Sequence, residues 1–285
     1  MSRIQQILDK AERDNTIHRV RVLETLEAPG VLPDVRAPAA ASPPPGLAVE
    51  APLSSMSSTS SMSSTSSTSA VRTLRDTHLD RRLAAAREPN SAAAEQYRAL
   101  RTRLEHGDAG AVVHVMLVTS PGREDGKSLT VANLGLAMAQ EYRRRVAVVD
   151  ANLRHPTLHR LFGLPNGPGL SDVLAGRVLL DEALVNLESH NLTVLPAGTP
   201  TAHPAESLGT ITMRRTMDTL RSRFDVVVMD APAAAPLADV GILTPLTDCI
   251  VLVVRAGVTA KPAVHDSIGA LDGAKLLGLV LNDAV

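Results

Sequence analysis

The sequence predicts an α/β protein with a doubly wound, mostly parallel sheet that is flanked by helices. From residue 112 onward, short apolar segments alternate with stretches that have the pattern of helices, as in βαβ units. Several of the apolar segments are near-continuous runs of Val, Leu and Ile, as expected of parallel strands that are buried on both faces. Ligands bind beyond the carboxyl ends of such strands. The residues that follow each strand are therefore the first candidates for a functional site.

The predicted elements follow one another along the domain. A helix is expected over residues 91–106, with Ser91 as its N-cap. Strands are expected at residues 112–118, 145–149, 192–195, 225–229, 250–254 and 276–281. The helices expected between them are residues 128–140, 211–223, 240–246 and 262–274.

Three regions of the chain differ in composition. Residues 1–28 carry apolar side chains at mostly three- and four-residue steps among charges, which predicts an amphipathic N-terminal helix. Residues 29–75 are rich first in Pro and Ala and then in Ser and Thr. Such a composition buries too little apolar surface to offset the entropy of ordering it, so a disordered linker is expected there. Residues 76–285 are expected to form the folded domain.

The overall composition argues against several classes of protein. The chain has 29 basic and 30 acidic residues, so its charge of −1 gives no general attraction for nucleic acid. The single cysteine, Cys249, lies in an apolar run and fits a reducing compartment. No signal peptide is recognised, and no apolar segment approaches the roughly 20 residues that span a bilayer. We therefore expect a cytoplasmic protein that reaches a membrane only through a partner.

The strongest local motif is a phosphate-binding loop at residues 119–128, between the first strand of the domain and the helix that follows. Backbone N–H groups and the positive end of that helix would converge on an anion. Gly126 would let the backbone approach closely, Lys127 would reach the β- and γ-phosphates, and the Ser128 hydroxyl would bind Mg²⁺. Pro121 stands where the template has its first glycine. A purely structural turn is the alternative.

Two aspartates end apolar strand candidates. Asp150 and Asp230 each follow a run of buried-type residues, so both are expected at the carboxyl edge of the sheet, beside the phosphate loop. Each could hold a Mg²⁺-coordinated water or orient a nucleophile. The alternative for either residue is a carboxylate that caps the turn after its strand.

In these motifs, the chain resembles the bacterial tyrosine kinases of capsular and exopolysaccharide biosynthesis, relatives of the deviant Walker ATPases. The resemblance runs from about Ala94 to Leu281. Its most specific part, Asp150 to Gly176, is similar to the family's Walker A′ motif and the segment after it. Residues 119–128 resemble its Walker A loop, and residues 225–239 resemble its Walker B region.

The resemblance implies ATP and Mg²⁺ as cofactors, with phosphoryl transfer from ATP-Mg²⁺ to tyrosine as the activity. It implies catalytic roles for Lys127, Asp150 and Asp230, and a metal held by Ser128, Asp150 and Asp230. It also implies that several residues contact the nucleotide and that Asn282 contacts its adenine. These residues are Asp125, Gly126, Lys127, Ser128, Leu129, Arg255 and Asn282.

The resemblance further implies self-association through Glu95, Arg98 and Arg101, which match the family's E-x-x-R-x-x-R helix. Taken alone, these three residues lie at three-residue steps and would equally fit a solvated, charge-paired helix face. The implied partner is a membrane-embedded polysaccharide co-polymerase that binds through its cytoplasmic tail. The protein would then lie at the inner face of the plasma membrane and regulate polysaccharide polymerisation and export.

Three departures from the family pattern keep alternatives open. Asn152 stands where the family has the second aspartate of Walker A′, and Glu124 replaces a glycine of the loop. The family's C-terminal tyrosine cluster is missing, which leaves Tyr97 and Tyr142, and a helix tyrosine is more often a packing residue. The alternatives are a regulatory or scaffold ATPase of the same machinery without autokinase activity, and a partition-type ATPase.

Overall fold

A nine-stranded sheet runs through the part of the chain that the structure describes. The structure is a computed structural model, and it describes residues 21–22, 71–75, 77–105, 113–141, 144–234, 238–271 and 275–282. The strands are β1 (Arg21–Val22), β2 (Arg72–Leu74), β3 (Val115–Thr119), β4 (Val146–Asp150), β5 (Val185–Leu187), β6 (Leu192–Leu195), β7 (Val226–Asp230), β8 (Cys249–Arg255) and β9 (Leu276–Asn282).

The sheet is mostly parallel, as predicted. Its order is β1-β9-β8-β3-β7-β4-β6-β5-β2. The six strands from β9 to β6 in this order pair in parallel with one another. The antiparallel pairs lie toward the two edges, where β5 pairs with β6 and β1 with β9. The first strand of the domain therefore lies in the middle of the sheet, with its carboxyl end between those of its neighbours.

Helices cover both faces of this sheet. They are α1 (Ala84–Arg87), α2 (Ala92–Glu105), α3 (Lys127–Ala139), α4 (Leu158–Leu161), α5 (Leu170–Leu174), α6 (Leu180–Ala183), α7 (Pro204–Leu208), α8 (Ile211–Arg223), α9 (Asp239–Leu243) and α10 (Lys261–Ala270). Buried side chains of α1 to α4 join one apolar cluster, and those of α5 to α10 join a second. The sheet is doubly wound because both of its faces are covered in this way.

Alternate residues of the central strands feed the two clusters. In β3, Met116 and Val118 belong to one cluster, whereas Val115 and Leu117 belong to the other. Successive side chains of a strand point to opposite faces, so side chains on both faces of the covered part of such a strand are apolar. This burial explains why these strands are continuous apolar runs in the sequence.

The structure corrects two expectations for the N-terminal part of the chain. Arg21–Val22, inside the predicted amphipathic helix, is a β-strand that pairs with Val280 and Leu281 of β9. Arg72–Leu74, inside the predicted linker, is a strand that pairs in parallel with β5. Both strands are too short for a periodic pattern, and their pairing partners are remote in the sequence. The remainder of the predicted helix and linker lies outside the described residues.

Two predicted helices end earlier than expected. The predicted helix 240–246 is α9 followed by a 3₁₀ turn at Thr244–Leu246, where Pro245 lacks the N–H of a regular helix. The predicted helix 262–274 ends at Ala270, and Leu271 has an extended backbone.

Candidate functional site

The phosphate loop joins the end of β3 to the start of α3, as the sequence predicted. Its turn into the helix is made by Gly126, which has a φ of +90°. A Cβ atom at this position would lie 1.9 Å from Nδ2 of Asn282. Glycine is therefore required at this position for two reasons: the backbone is left-handed, and the Asn282 amide packs directly against the Cα atom.

The N-terminal turn of α3 directly follows this loop. The N–H groups of Lys127, Ser128 and Leu129 are the first of the helix and have no carbonyl one turn earlier to bind. Gly126, as the N-cap, has no side chain with which to cap them. Lys127 is buried, and its Nζ lies 3.5 Å from the carbonyl oxygen of Arg123 in the loop. Free N–H groups and an inward lysine together suit a bound phosphate.

Asp230, at the end of β7, faces this turn. Its Oδ2 accepts a 2.5 Å hydrogen bond from the Ser128 hydroxyl, whereas its Oδ1 is buried without a partner. Burial raises the pKa of the Asp230 carboxyl to about 6, although Lys127 and Ser128 act in the opposite direction. A buried carboxylate oxygen without a donor is costly, and a cation would satisfy it. Ser128 and Asp230 therefore fit a metal ion.

Asp150, at the end of β4, is the register partner of Asp230 in the neighbouring strand. Its Oδ1 accepts a bond from the Asn152 N–H, and its Oδ2 accepts bonds from the N–H groups of Thr157 and Leu158. Burial and the nearby Asp230 carboxylate raise its pKa well above the usual range. Asp150 therefore caps the turn after β4, which was one of the two alternatives in the sequence, and a role in metal binding or catalysis stays a prediction.

Asn152 uses both polar atoms of its side chain locally. Its Nδ2 donates to the His155 carbonyl over 3.0 Å, and its Oδ1 accepts from the His155 N–H over 3.3 Å. The side chain is buried. An aspartate could accept the second bond but could not donate the first. Asn152 therefore closes the turn 152–155.

Two charged residues without a role predicted from the sequence form a salt bridge beside this turn, in which the carboxylate is buried and the guanidinium is partly exposed. Arg154 donates to both carboxylate oxygens of Asp239, over 2.6 and 3.0 Å. The Asp239 side chain is 1% exposed. The pair ties the turn after β4 to the start of α9. Both residues lie in the stretches that resemble Walker A′ and Walker B, but their pairing depends on the three-dimensional fold.

The other residues predicted to contact nucleotide lie around the loop. Asp125 is buried inside it, Asn282 is buried against it, and Leu129 is half-buried in the first turn of α3. Arg255, at the end of β8, begins the turn that carries Thr259, whose hydroxyl donates to Asp125 over 2.7 Å. Thr259 was missed because residues 125 and 259 are 134 positions apart.

The predicted self-association residues lie on α2, away from the loop. Arg98 pairs with Glu95 of the same helix and also donates to the Pro89 carbonyl. Arg101 donates over 2.8 Å to the carbonyl of Ala137, in the last turn of α3. The Glu95 side chain is 72% exposed. Self-association through these residues stays a prediction.

Tyr97 of α2 is a packing residue, as the sequence favoured. It is 3% exposed and belongs to the apolar cluster that includes α3. Burial raises its pKa to about 12, with Thr130 and Asn133 beside its hydroxyl. The Tyr97 hydroxyl is therefore not accessible to a kinase active site. Tyr142 lies outside the described residues.

The described residues contain no group of three or more His, Cys, Asp or Glu side chains arranged to hold a metal. A cation near Ser128 and Asp230 would thus need oxygen ligands from phosphates and water, which is how Mg²⁺ usually binds. Among the same residues, no helix is both long enough and apolar enough to cross a bilayer.

A mostly parallel sheet, a glycine turn into a helix N-terminus, and two aspartates at neighbouring strand ends define a P-loop NTPase fold. Tyrosine-protein kinase YwqD of Bacillus subtilis (strain 168) is 34% identical over 214 residues, covering 74% of this chain and 90% of that protein. The putative tyrosine-protein kinase CapB of Staphylococcus aureus is 29% identical over 197 residues, covering 68% and 86%. No protein-family model matches the sequence.

Among solved structures, the kinase domain of Escherichia coli tyrosine kinase ETK superposes with a TM-score of 0.69 at 26% identity, covering 74% of this chain and 83% of that one. The chain belongs to the family of bacterial tyrosine-protein kinases. The predictions of the family, the fold class and an enzyme of the tyrosine-kinase type are confirmed. The comparisons favour this interpretation over a scaffold ATPase or a partition-type ATPase.

Proposed function

We propose that this protein transfers the γ-phosphoryl group of ATP-Mg²⁺ to a tyrosine hydroxyl, using the site at the carboxyl ends of β3, β4 and β7. The observation that carries the proposal is the hydrogen bond between Ser128 and Asp230 beside the phosphate loop. It places a hydroxyl and a carboxylate together at the start of α3, where phosphates would bind. Membership of the tyrosine-kinase family supports the choice of reaction.

Each residue has a distinct part in this proposal. The N–H groups of the α3 turn and the buried Lys127 hold the β- and γ-phosphates. Ser128 and Asp230 hold the metal, with Asp150 next to them. When bound, Mg²⁺ neutralises charge on the transferring phosphoryl group. Positioning of the substrates by these side chains then supplies most of the catalysis.

Asp150 is the candidate for proton transfer as well as for metal binding. The hydrogen bonds that it accepts from three backbone N–H groups fix the orientation of its carboxylate. Burial and the nearby Asp230 carboxylate raise its pKa, so this carboxylate takes up a proton more readily than an exposed aspartate, as a general base must. We propose that it receives the proton of the attacking tyrosine hydroxyl.

The acceptor tyrosine in this proposal is not Tyr97, because that side chain is buried in the core. We further propose that the protein acts in capsular or exopolysaccharide polymerisation and export, at the inner face of the membrane. It would bind the cytoplasmic tail of a membrane-embedded co-polymerase and would self-associate through Glu95, Arg98 and Arg101. Nucleotide contacts of Arg255 and Asn282, with adenine at Asn282, belong to the same proposal.

A second candidate function is an ATP-dependent regulatory ATPase of the same machinery that does not phosphorylate itself. The observation in its favour is Asn152, whose amide is committed to the turn 152–155 at the place where the family has an aspartate. In that function, Lys127, Ser128 and Asp230 keep their roles, and only the transfer to tyrosine is lost.

The two candidates are separated by incubating the purified full chain with γ-labelled ATP and Mg²⁺, with and without the cytoplasmic tail of its co-polymerase. Labelled phosphotyrosine is expected on the tail or on the kinase. Lys127→Met should abolish the label, whereas Arg214→Met, which removes a positive charge from an exposed position of α8, should leave it unchanged. ATP turnover without phosphotyrosine on either protein would assign the regulatory function instead.

A further inference from the structure

Two polar side chains from outside the phosphate loop donate hydrogen bonds to it, and both bonds are to Asp125. The Thr259 hydroxyl donates to Asp125 Oδ1 over 2.7 Å, and Asn282 Nδ2 donates to the Asp125 carbonyl over 3.0 Å. Within the loop, Asp125 Oδ2 accepts from the Gly122 N–H over 2.6 Å. Asp125 is 5% exposed and Asn282 is 3% exposed. Both carboxylate oxygens of Asp125 are thus engaged, one inside the loop and one across to Thr259.

The Thr259 hydroxyl is oriented by a second hydrogen bond. Its oxygen accepts from the Arg255 N–H over 2.9 Å, so its one hydrogen is directed at Asp125. The Thr259 N–H in turn donates to the Arg255 carbonyl over 3.0 Å. Gly257, with a φ of +68°, makes this turn possible. The hydroxyl therefore joins the turn after β8 to the phosphate loop.

We infer that Thr259 is a positioning residue for phosphate binding, which acts through Asp125 without touching the ligand. Its hydroxyl and the Asn282 amide hold the loop so that the N–H groups of residues 126–129 converge before a phosphate arrives. A site that is already ordered avoids the entropy cost of ordering during binding. The expected effect of Thr259 on ligand affinity rests on the proposed ATP site. Its effect on the order of the phosphate loop, by contrast, is a property of the free protein.

Two substitutions separate the hydroxyl from the shape of the side chain. Thr259→Val keeps the shape and removes the hydroxyl, which leaves Asp125 Oδ1 without its donor. Thr259→Ser keeps the hydroxyl and is the matched control. Calorimetric titration of the full chain with ATP and with inorganic tripolyphosphate, both with Mg²⁺, should show a loss of about tenfold for T259V with each ligand. T259S should lose much less with either ligand.

Two results of the titration would overturn the inference. One is a T259S variant as weak as T259V, because the hydroxyl would then be irrelevant. The other is a loss for ATP with none for tripolyphosphate, because Thr259 would then act on the nucleoside end of the ligand.

Amide hydrogen exchange of the free protein gives a readout that needs no nucleotide. Exchange of residues 120–128 should be faster in T259V than in the wild type and in T259S, with α8 unchanged. Equal exchange in all three proteins, or a rise spread equally over α8, would overturn the inference. If the wild-type chain binds neither ATP nor tripolyphosphate, the proposed function fails, and hydrogen exchange still decides whether Thr259 holds the loop.

Discussion

The Ser128 hydroxyl donates a 2.5 Å hydrogen bond to Asp230 Oδ2, across 102 residues of sequence. The bond joins the first turn of α3 to the end of β7, in the middle of the sheet. Because Asp230 Oδ1 is buried without a partner, the carboxylate keeps one oxygen for a cation. The hydroxyl and this oxygen together form the metal-binding part of the proposed site.

Replacement of Ser128 by Ala should weaken Mg²⁺-dependent ATP binding by about tenfold or more, because it removes a ligand and leaves a buried carboxylate without its donor. Ser128→Thr keeps a hydroxyl at the same atom and should retain most of the affinity. Calorimetric titration with ATP, with and without Mg²⁺, measures both. Equal affinities for the Ala and Thr variants would contradict the role of the hydroxyl.

Asp230→Asn should stabilise the free protein at alkaline pH while abolishing Mg²⁺-dependent activity. The folded-state pKa of about 6 lies above the usual aspartate value of 3.8. Between these two pH values, the folded protein therefore binds more protons at this carboxyl than the unfolded chain does. The free energy of unfolding falls as the pH rises through this range. The cost is fully present well above pH 6 and is on the order of 3 kcal/mol.

The expected sign can be read from urea unfolding at several pH values. Asp230→Asn should exceed the wild type in free energy of unfolding at pH 8, and the difference should shrink toward pH 5 as the wild-type carboxyl takes up its proton. A variant less stable than the wild type at every pH would show that the buried Asp230 charge is already compensated in the free protein.

Gly126→Ala should lower both the free energy of unfolding and the affinity for ATP. A Cβ atom would lie 1.9 Å from Asn282 Nδ2, and the φ of +90° disfavours any other residue. The backbone strain alone costs about 1 to 3 kcal/mol. The control is Gly241→Ala in α9, where a Cβ atom would meet nothing within 4 Å. It should be neutral or stabilising, and similar losses in the two variants would contradict the account of Gly126.

Arg154→Ala should destabilise the protein by about 2 kcal/mol, because it leaves the buried Asp239 carboxylate without its partner. Arg154→Lys should recover part of this loss, since a lysine keeps the charge but cannot bind both oxygens in the same plane. The control is Arg75→Ala, whose pair with Glu188 is exposed on both sides and should matter little. Chemical unfolding of the three variants measures the order. A small effect of Arg154→Ala would mean that Asp239 is solvated when unpaired.

Elements with a clear sequence pattern could be predicted, and short elements without one could not. Helix α8 has the predicted bounds, Ile211–Arg223, and its N-cap Thr210 accepts a bond from the Met213 N–H. Strand β6 is also found as predicted. By contrast, α4 and β5 have four and three residues and show no periodicity above that of a loop. Tertiary packing determines them.

The candidate site was predictable where the chain marks strand ends, and not where distant segments meet. Asp150 and Asp230 each end an apolar run, so their place beside the phosphate loop followed from the parallel topology. The contact of Thr259 with Asp125 and the pair of Arg154 with Asp239 depend on how the turns after β8, β4 and β7 fold back. No local pattern in the sequence encodes those contacts.

The most direct measurement of the proposed site is an equilibrium titration of the full chain with ATP, at zero and at saturating Mg²⁺. The wild type should bind ATP, and more tightly with Mg²⁺. Lys127→Met should lose binding in both conditions, and Asp230→Asn should lose the gain from Mg²⁺. Wild-type affinity in Lys127→Met, or an equal gain from Mg²⁺ in Asp230→Asn, would contradict the assignment of the phosphate and metal sites.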